Sequence, residues 1–231
     1  MSEAQNQAQT LSASEIDDIT KDMLGIIADM KAGETAGAIN IRKDGHLAAR
    51  QNSENIVITT KEDLPGIDIN VAPRTKGEQL HIPVVLTESG LTDKVYNDFY
   101  IGEGADVYIV AGCGIHNDGC EDSQHDGIHR FFLGKGSRVV YLEKHYGEGE
   151  GSGQRILNPV TEVHMEDGST MEMVTVQIKG VSDTVRETNC YMGANSKLTI
   201  TEKLMTTGSQ TATSNMLVEL NGEGSSVQVI S

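Results

Sequence analysis

The stretch Gly104-Ala-Asp-Val107 returns four more times along the chain, as Gly136-Ser-Arg-Val139, Gly168-Ser-Thr-Met171, Asn195-Ser-Lys-Leu198 and Gly224-Ser-Ser-Val227. Each copy has a turn glycine or asparagine, a small or polar residue, a polar residue and then alternating apolar positions. The copies start 32, 32, 27 and 29 residues apart. A unit of ~30 residues cannot bury its apolar face alone, so this period predicts a stacked array.

Runs that alternate between apolar and other residues flank each copy, for example 97–101 before the first and 107–110 after it. Two strands per repeat fit either a ladder of hairpins or the coils of a parallel β-helix. Hairpins usually carry a tight two-residue turn such as Asn-Gly, whereas connections such as Gly134-Lys-Gly-Ser137 are looser and recur regularly. The pattern favours a mainly β fold of stacked coils, with an antiparallel sandwich as the alternative.

The chain divides into three parts by composition. Residues 1–13 are polar and predict a disordered tail, 14–36 predict a helical segment, and 37–231 predict the β-helix domain. Ser14 is the predicted N-cap, with Asp17 as its capping partner. Apolar residues recur at helical spacing and predict an amphipathic helix over about 14–31. These residues are Ile16, Ile19, Met23, Ile26, Ile27 and Met30.

Charge and cysteine content limit the possible partners and compartments. The net charge of −16, from 34 acidic and 18 basic residues, repels phosphates and predicts no binding to nucleic acid or anionic membrane. Three cysteines give an odd count, which favours reduced thiols in a cytosol over a disulfide framework. No export signal or membrane-spanning apolar run is found. We therefore expect a soluble cytoplasmic protein without membrane insertion.

Five soft or borderline metal ligands lie within one segment of 17 residues. Thiolate and imidazole together suit zinc, iron or an iron–sulfur cluster. The spacing matches no zinc finger, and the alternative interpretation is a polar loop with solvated histidines. The candidate metal ligands are Cys113, His116, Cys120, His125 and His129.

Carboxylates are abundant and raise a second possibility, because paired carboxylates serve glycoside hydrolysis. Glu143 is the best single candidate, since it lies at a predicted strand end beside His145. An exposed ion pair between Glu143 and Lys144 is the simpler interpretation. Cys190 falls within a predicted strand and is interpreted as a small core or surface residue.

Longer strings resemble the SufB/SufD family of iron–sulfur cluster assembly proteins, in the compact form found in anaerobic bacteria and archaea. The resemblance covers about residues 37–231. The strings that carry it include Asn97-Asp-Phe-Tyr-Ile-Gly-Glu-Gly-Ala-Asp-Val107, Cys113-Gly-Ile-His116, His125-Asp-Gly-Ile-His129 and Glu143-Lys-His-Tyr-Gly-Glu-Gly149.

The resemblance implies a right-handed parallel β-helix that acts as an assembly scaffold and not as an enzyme. It implies pairing with a SufB/SufD-type subunit or with a second copy as a homodimer, an ABC-type ATPase partner and a transient iron–sulfur cluster. Cys113 matches the family cysteine whose thiol receives or relays sulfur, and His125 matches the histidine that opens the following strand. His116, Cys120 and His129 are additional, so their roles rest on the metal-ligand argument alone.

Family members normally continue beyond the equivalent of Ser231, with further coils, an interface Cys or His and a helical region that docks the ATPase. The resemblance therefore predicts that this chain lacks the C-terminal part. Two other hypotheses stay open: a structural or interaction module without its own cluster, and a carbohydrate-active β-helix enzyme.

Overall fold

The computed structural model describes residues 17–30 and 37–231, which form one α-helix and a series of β-strands. The elements are α1 (Asp18–Ala28), β1 (Ala38–Lys43), β2 (His46–Gln51), β3 (Ile56–Thr60), β4 (Gly66–Val71), β5 (Lys76–His81), β6 (Val84–Leu86), β7 (Thr92–Ile101), β8 (Asp106–His116), β9 (Ser123–Leu133), β10 (Arg138–Glu148), β11 (Arg155–Leu157), β12 (Val160–Met165), β13 (Thr170–Lys179), β14 (Asp183–Met192), β15 (Lys197–Leu204), β16 (Thr211–Leu220) and β17 (Ser226–Ile230).

The strands form two long sheets that enclose one interior. The first sheet runs β17-β15-β13-β10-β8-β5-β1-β2, and the second runs β11-β14-β12-β9-β7-β4-β3 with β16 beside β14. From β4 to β17 neighbouring strands pair in parallel, and the chain passes from one sheet to the other to form about six stacked coils. The predicted parallel β-helix is confirmed, and the antiparallel sandwich is wrong.

The repeated sequence forms a stack of equivalent turns. Its first residue adopts the left-handed conformation in every copy, for example φ 65° at Gly104 and 55° at Asn195, where glycine and asparagine are favoured. Each turn bonds to the next coil, as when Gly104 N donates to Lys135 O at 2.9 Å. Arg74, with φ 62°, begins an equivalent turn one coil earlier. The period found in the sequence is therefore the number of residues that the chain needs to complete one coil of the solenoid.

Alternation along each strand sends apolar side chains into the interior. Phe99 and Phe131 stack there with ring centroids 4.2 Å apart, and Tyr141 meets Phe131 edge-on. Residues in register on neighbouring coils lie side by side, because one coil lies directly above the next. This stacking fixes which side chains from distant sequence positions can meet.

Helix α1 covers the outer face of β8 and β10. It begins at Asp18, and Asp17 is its N-cap, accepting a hydrogen bond from Thr20 N at 2.7 Å. The predicted cap, Ser14, lies outside the described residues, and the helix is shorter than predicted because Asp17 satisfies its first free amide. Within the described ranges, no helix is long and apolar enough to cross a bilayer.

Candidate functional site

Polar side chains replace apolar ones along part of the solenoid interior. On the first sheet Cys113 lies in register with His145, which in turn lies beside Gln177. A second row places Glu143 next to Thr175 on the neighbouring strand. All five residues are buried. Burial of polar groups without partners costs folding free energy. This row of polar residues therefore indicates a functional site within the otherwise apolar interior.

The second sheet supplies the facing side chains. Strand β9 alternates between buried and half-buried residues, so His125, Gly127 and His129 all point inward. They line one narrow gap together with Cys113, Glu143, His145, Leu157 and Pro159. A Cβ at Gly127 would lie 2.7 Å from His129 Nε2 and 3.3 Å from His125 Nε2. Glycine at this position therefore lets the two imidazoles approach the thiol.

His125 lies between a carboxylate and the thiol. Its Nδ1 donates to Asp93 Oδ2 at 3.1 Å, and Asp93 is held from the other side by Arg42. The Nε2 of His125 has no oxygen or nitrogen partner among the described residues and lies next to Cys113. Burial disfavours the charged ring, but Cys113 and Asp93 outweigh it and raise the pKa of His125 to about 10.

The Cys113 thiol is correspondingly acidic. Burial by itself would raise its pKa, but the charge of His125 and hydrogen bonds from His125 and His145 lower the pKa to about 7. Thiolate, the nucleophilic and metal-binding form of cysteine, is thus substantially populated near neutral pH. Cys190 shows the opposite case, because burial in the apolar core raises its pKa to about 12.

A buried ion pair forms the other end of the site. Arg186 on β14 donates to Glu143, and its Nη1 donates to His145 Nδ1 at 3.2 Å. Tyr141 adds a hydrogen bond to Glu143 at 3.2 Å. Burial opposes ionisation of Glu143, but Arg186 and His145 hold its pKa well below the ordinary value. Because Arg186 donates to Nδ1, the Nε2 of His145 carries a ring proton and faces Glu143 and Cys113, which raise the pKa of this ring against the effect of burial.

His129 completes the inner wall as a neutral ring. Burial lowers its pKa to about 4, and it stacks on Phe99 with centroids 5.9 Å apart. Its Nδ1 has no hydrogen-bond partner in the described part of the chain. A neutral, unpartnered imidazole nitrogen is the form of histidine that binds metal ions.

The five candidate metal ligands do not share one location. Cys113, His125 and His129 are buried together, whereas Cys120 is exposed. His116 lies near the surface, where Asp118 at 2.9 Å and Glu148 at 3.3 Å flank its ring. Across residues 17–30 and 37–231, no three His, Cys, Asp or Glu side chains are grouped as a metal site requires.

The structure corrects the interpretation of Glu143 and adds residues that sequence analysis missed. Glu143 is buried against Arg186, and Lys144 instead bonds Asp29 at 2.6 Å. Asp93 and Arg186 were not identified from the sequence. Asp93 and His125 are 32 residues apart, as are Cys113 and His145, so the repeat period itself could have paired them.

These features define a class: a parallel β-helix protein with an ionisable cysteine and imidazoles enclosed in its interior. The model of the family described as SUF system FeS cluster assembly, SufBD core domain, matches residues 100–231. The chain therefore belongs to the SufB/SufD family, and this membership connects it to iron–sulfur cluster assembly by the SUF system. No curated protein matches the sequence.

Proposed function

We propose that the chain is a scaffold subunit of SUF-type iron–sulfur cluster assembly and that it receives sulfur on Cys113. The observation that carries the proposal is the buried Cys113 thiol, whose pKa is about 7 beside the charged His125. A structural cysteine in an apolar core has no use for such an environment, as Cys190 illustrates. The role is that of an acceptor and carrier, not of an enzyme.

Sulfur transfer to this thiol follows from ordinary thiol–disulfide chemistry. The Cys113 thiolate attacks the outer sulfur of a donor persulfide, a bond forms between the two sulfur atoms, and the donor thiolate leaves with the electrons of the broken bond. No net oxidation occurs, since the donor is already at the persulfide level. The positive charge of His125 stabilises the anionic sulfur before and after transfer.

Iron and the nascent cluster are cargo in this proposal. Cys113 and the neutral His129 offer sulfur and nitrogen donors that iron accepts, and His125 becomes a further donor once it loses its proton. The described side chains do not form a complete ligand group. This supports a shared site, in which a SufB/SufD-type subunit or a second copy of this chain supplies the remaining ligands of a transient cluster.

The partners and compartment belong to the same proposal. An ABC-type ATPase is the expected energy source, in keeping with the family. The three cysteines are unpaired in the structure, which supports a reducing cytoplasmic compartment. The excess of acidic residues supports protein partners with basic surfaces over nucleic acid.

Sulfur acceptance can be tested directly. The anaerobic protein is incubated with a small-molecule persulfide, and peptide mass spectrometry identifies which cysteine gains one sulfur atom. We expect modification of Cys113 in the wild type and in Cys120→Ser, and loss of that signal in Cys113→Ser. Equal sulfur uptake by Cys113→Ser, with the modification elsewhere, would remove Cys113 from the mechanism.

Cluster assembly needs a separate experiment. Anaerobic co-expression with an ABC-type ATPase of a SUF system, followed by iron and acid-labile sulfide analysis, should give a complex with both elements in the wild type and less in Cys113→Ser. A complex that forms but never contains iron or sulfide would support the alternative function, an interaction module without its own cluster. The incomplete ligand group is the observation that favours this alternative.

A further inference from the structure

A cavity of about 260 Å³ lies at the β1 end of the solenoid interior. The β1–β2 hairpin forms one wall, and the ends of β3 and β4, the segment 82–84 and the middle of β7 form the others. Its lining residues are Asn40, Arg42, Gly45, Leu47, Arg50, Thr60, Pro65, Gly66, Ile67, Ile82, Val84, Val95 and Asn97. None of these residues lines the gap around Cys113. Arg42 is connected to that gap through its ion pair with Asp93.

The cavity lies directly next to the layer that contains Cys113. Val84 is in register with Cys113, and Asn97 is in register with His129. Val95 is likewise in register with Gly127. Neighbouring parallel strands are ~4.8 Å apart. One layer of side chains therefore separates the cavity from the thiol.

Arg50 gives the cavity an uncompensated cation. Its Nε donates to Asn40 Oδ1 at 2.8 Å and its Nη1 donates to Thr60 Oγ1 at 2.9 Å. Both acceptors are neutral, and no carboxylate pairs with Arg50 in the described part of the chain, although the chain has 34 acidic residues. Burial lowers the pKa of this guanidinium. Such a partly desolvated cation favours an anion as its missing partner.

The remaining walls indicate the size and polarity of that partner. Asn97 is 6% exposed and contributes a polar amide to the wall of the cavity. The surfaces contributed by Ile67, Ile82 and Val95 are apolar. A ligand for this space combines one anionic group for Arg50 with a short apolar body, because small-molecule sites pair apolar walls with a few placed polar groups.

We propose that this cavity binds a small organic carboxylate, held by Arg50.

The binding site is tested with butyrate, which contains no sulfur, by titration calorimetry on the full chain. We expect binding to the wild type and to Cys113→Ser, at least 10-fold weaker binding to Arg50→Gln, and no binding of the neutral butyramide. Arg138→Gln, at an exposed outer-surface arginine, is the matched control and should bind as the wild type does. Arg50→Lys retains the charge and should bind more tightly than Arg50→Gln, which guards against a general folding defect.

Butyrate binding that is equal in Arg50→Gln and wild type, equal binding of butyramide, or no butyrate binding would overturn the site.

Discussion

Asp93 and His125 occupy equivalent positions on successive coils, and Asp93 Oδ2 lies 3.1 Å from His125 Nδ1. The contact fixes the orientation of the imidazole, because a hydrogen bond to one ring nitrogen decides what the other nitrogen faces. Here the free Nε2 faces Cys113. Arg42 donates to both carboxylate oxygens of Asp93 and holds this acceptor in place. The chain of contacts therefore runs from β1 to the thiol on β8.

Asp93→Asn should make the Cys113 thiol less acidic. The carboxylate raises the pKa of His125, and the charged ring lowers the pKa of Cys113 to about 7. Without that charge the thiol pKa should rise by about one unit or more towards its ordinary value, so less thiolate is present at neutral pH. The pH midpoint of Cys113 ionisation is measured by the ultraviolet absorbance of the thiolate. The absorbance of the same protein with Cys113→Ser is subtracted at each pH.

Asp126→Asn is the control for this titration. Asp126 lies on the same strand as His125 but accepts hydrogen bonds from Gln124 on the outer face. Its removal should leave the Cys113 midpoint where it is in the wild type. An unchanged midpoint in Asp93→Asn would show that the carboxylate has no influence on the thiol.

The buried pair of Arg186 and Glu143 should be costly to break from one side. Glu143→Gln leaves the guanidinium buried with Glu202 as its remaining carboxylate, 3.6 Å from Arg186 Nε. Removal of one partner of a buried pair typically costs about 3–5 kcal/mol. Urea unfolding at neutral pH measures the free energy of unfolding. The double variant Glu143→Gln/Arg186→Met should lose less than the sum of the two single variants, and strict additivity would argue against the pairing.

The architecture could be predicted from the sequence because every coil of the solenoid repeats the same type of turn. The left-handed residue that begins Gly104-Ala-Asp-Val107 recurs at each coil. A short sequence pattern therefore indicated the number of residues in one coil and the stacking of the coils. The site was harder to derive. Cys113 and His125 lie in one dense segment and were found, whereas Arg186 is 43 residues from Glu143 and belongs to a different coil. Which side chains face inward depends on strand register, and the sequence spacing near the loops does not determine it.

His129 should contribute a loss of stability on mild acidification because it is buried without charge. Burial lowers its pKa to about 4 in the folded state, while an unfolded histidine titrates near about 6.5. The unfolded state therefore binds the proton first, so stability present above about pH 6.5 is lost as the pH falls towards 4. The expected loss from this residue between pH 7.5 and pH 5 is about 2 kcal/mol.

His129→Gln removes this titration, so the change in its unfolding free energy between pH 7.5 and pH 5 should differ from that of the wild type by about 2 kcal/mol, in favour of the variant at pH 5. Chemical denaturation at several pH values measures it. His46→Gln, at an exposed histidine on β2, serves as the matched control and should preserve the wild-type slope. A slope in His129→Gln equal to that of the wild type would contradict a neutral buried His129.

Two glycine-to-alanine substitutions, one on β8 beneath helix α1 and one on α1 itself, should change the stability of α1 in opposite directions. A Cβ at Gly112 would lie 2.3 Å from Ile27 O, so Gly112→Ala forces α1 away from β8. Overpacking of this kind costs about 1–3 kcal/mol. A Cβ at Gly25, on α1, meets only Met30 O at 3.8 Å, and alanine there gains up to about 1 kcal/mol of helix propensity. Hydrogen exchange of the α1 amides should accelerate in Gly112→Ala and slow in Gly25→Ala. Equal protection in both variants would mean that α1 does not depend on the glycine that precedes Cys113.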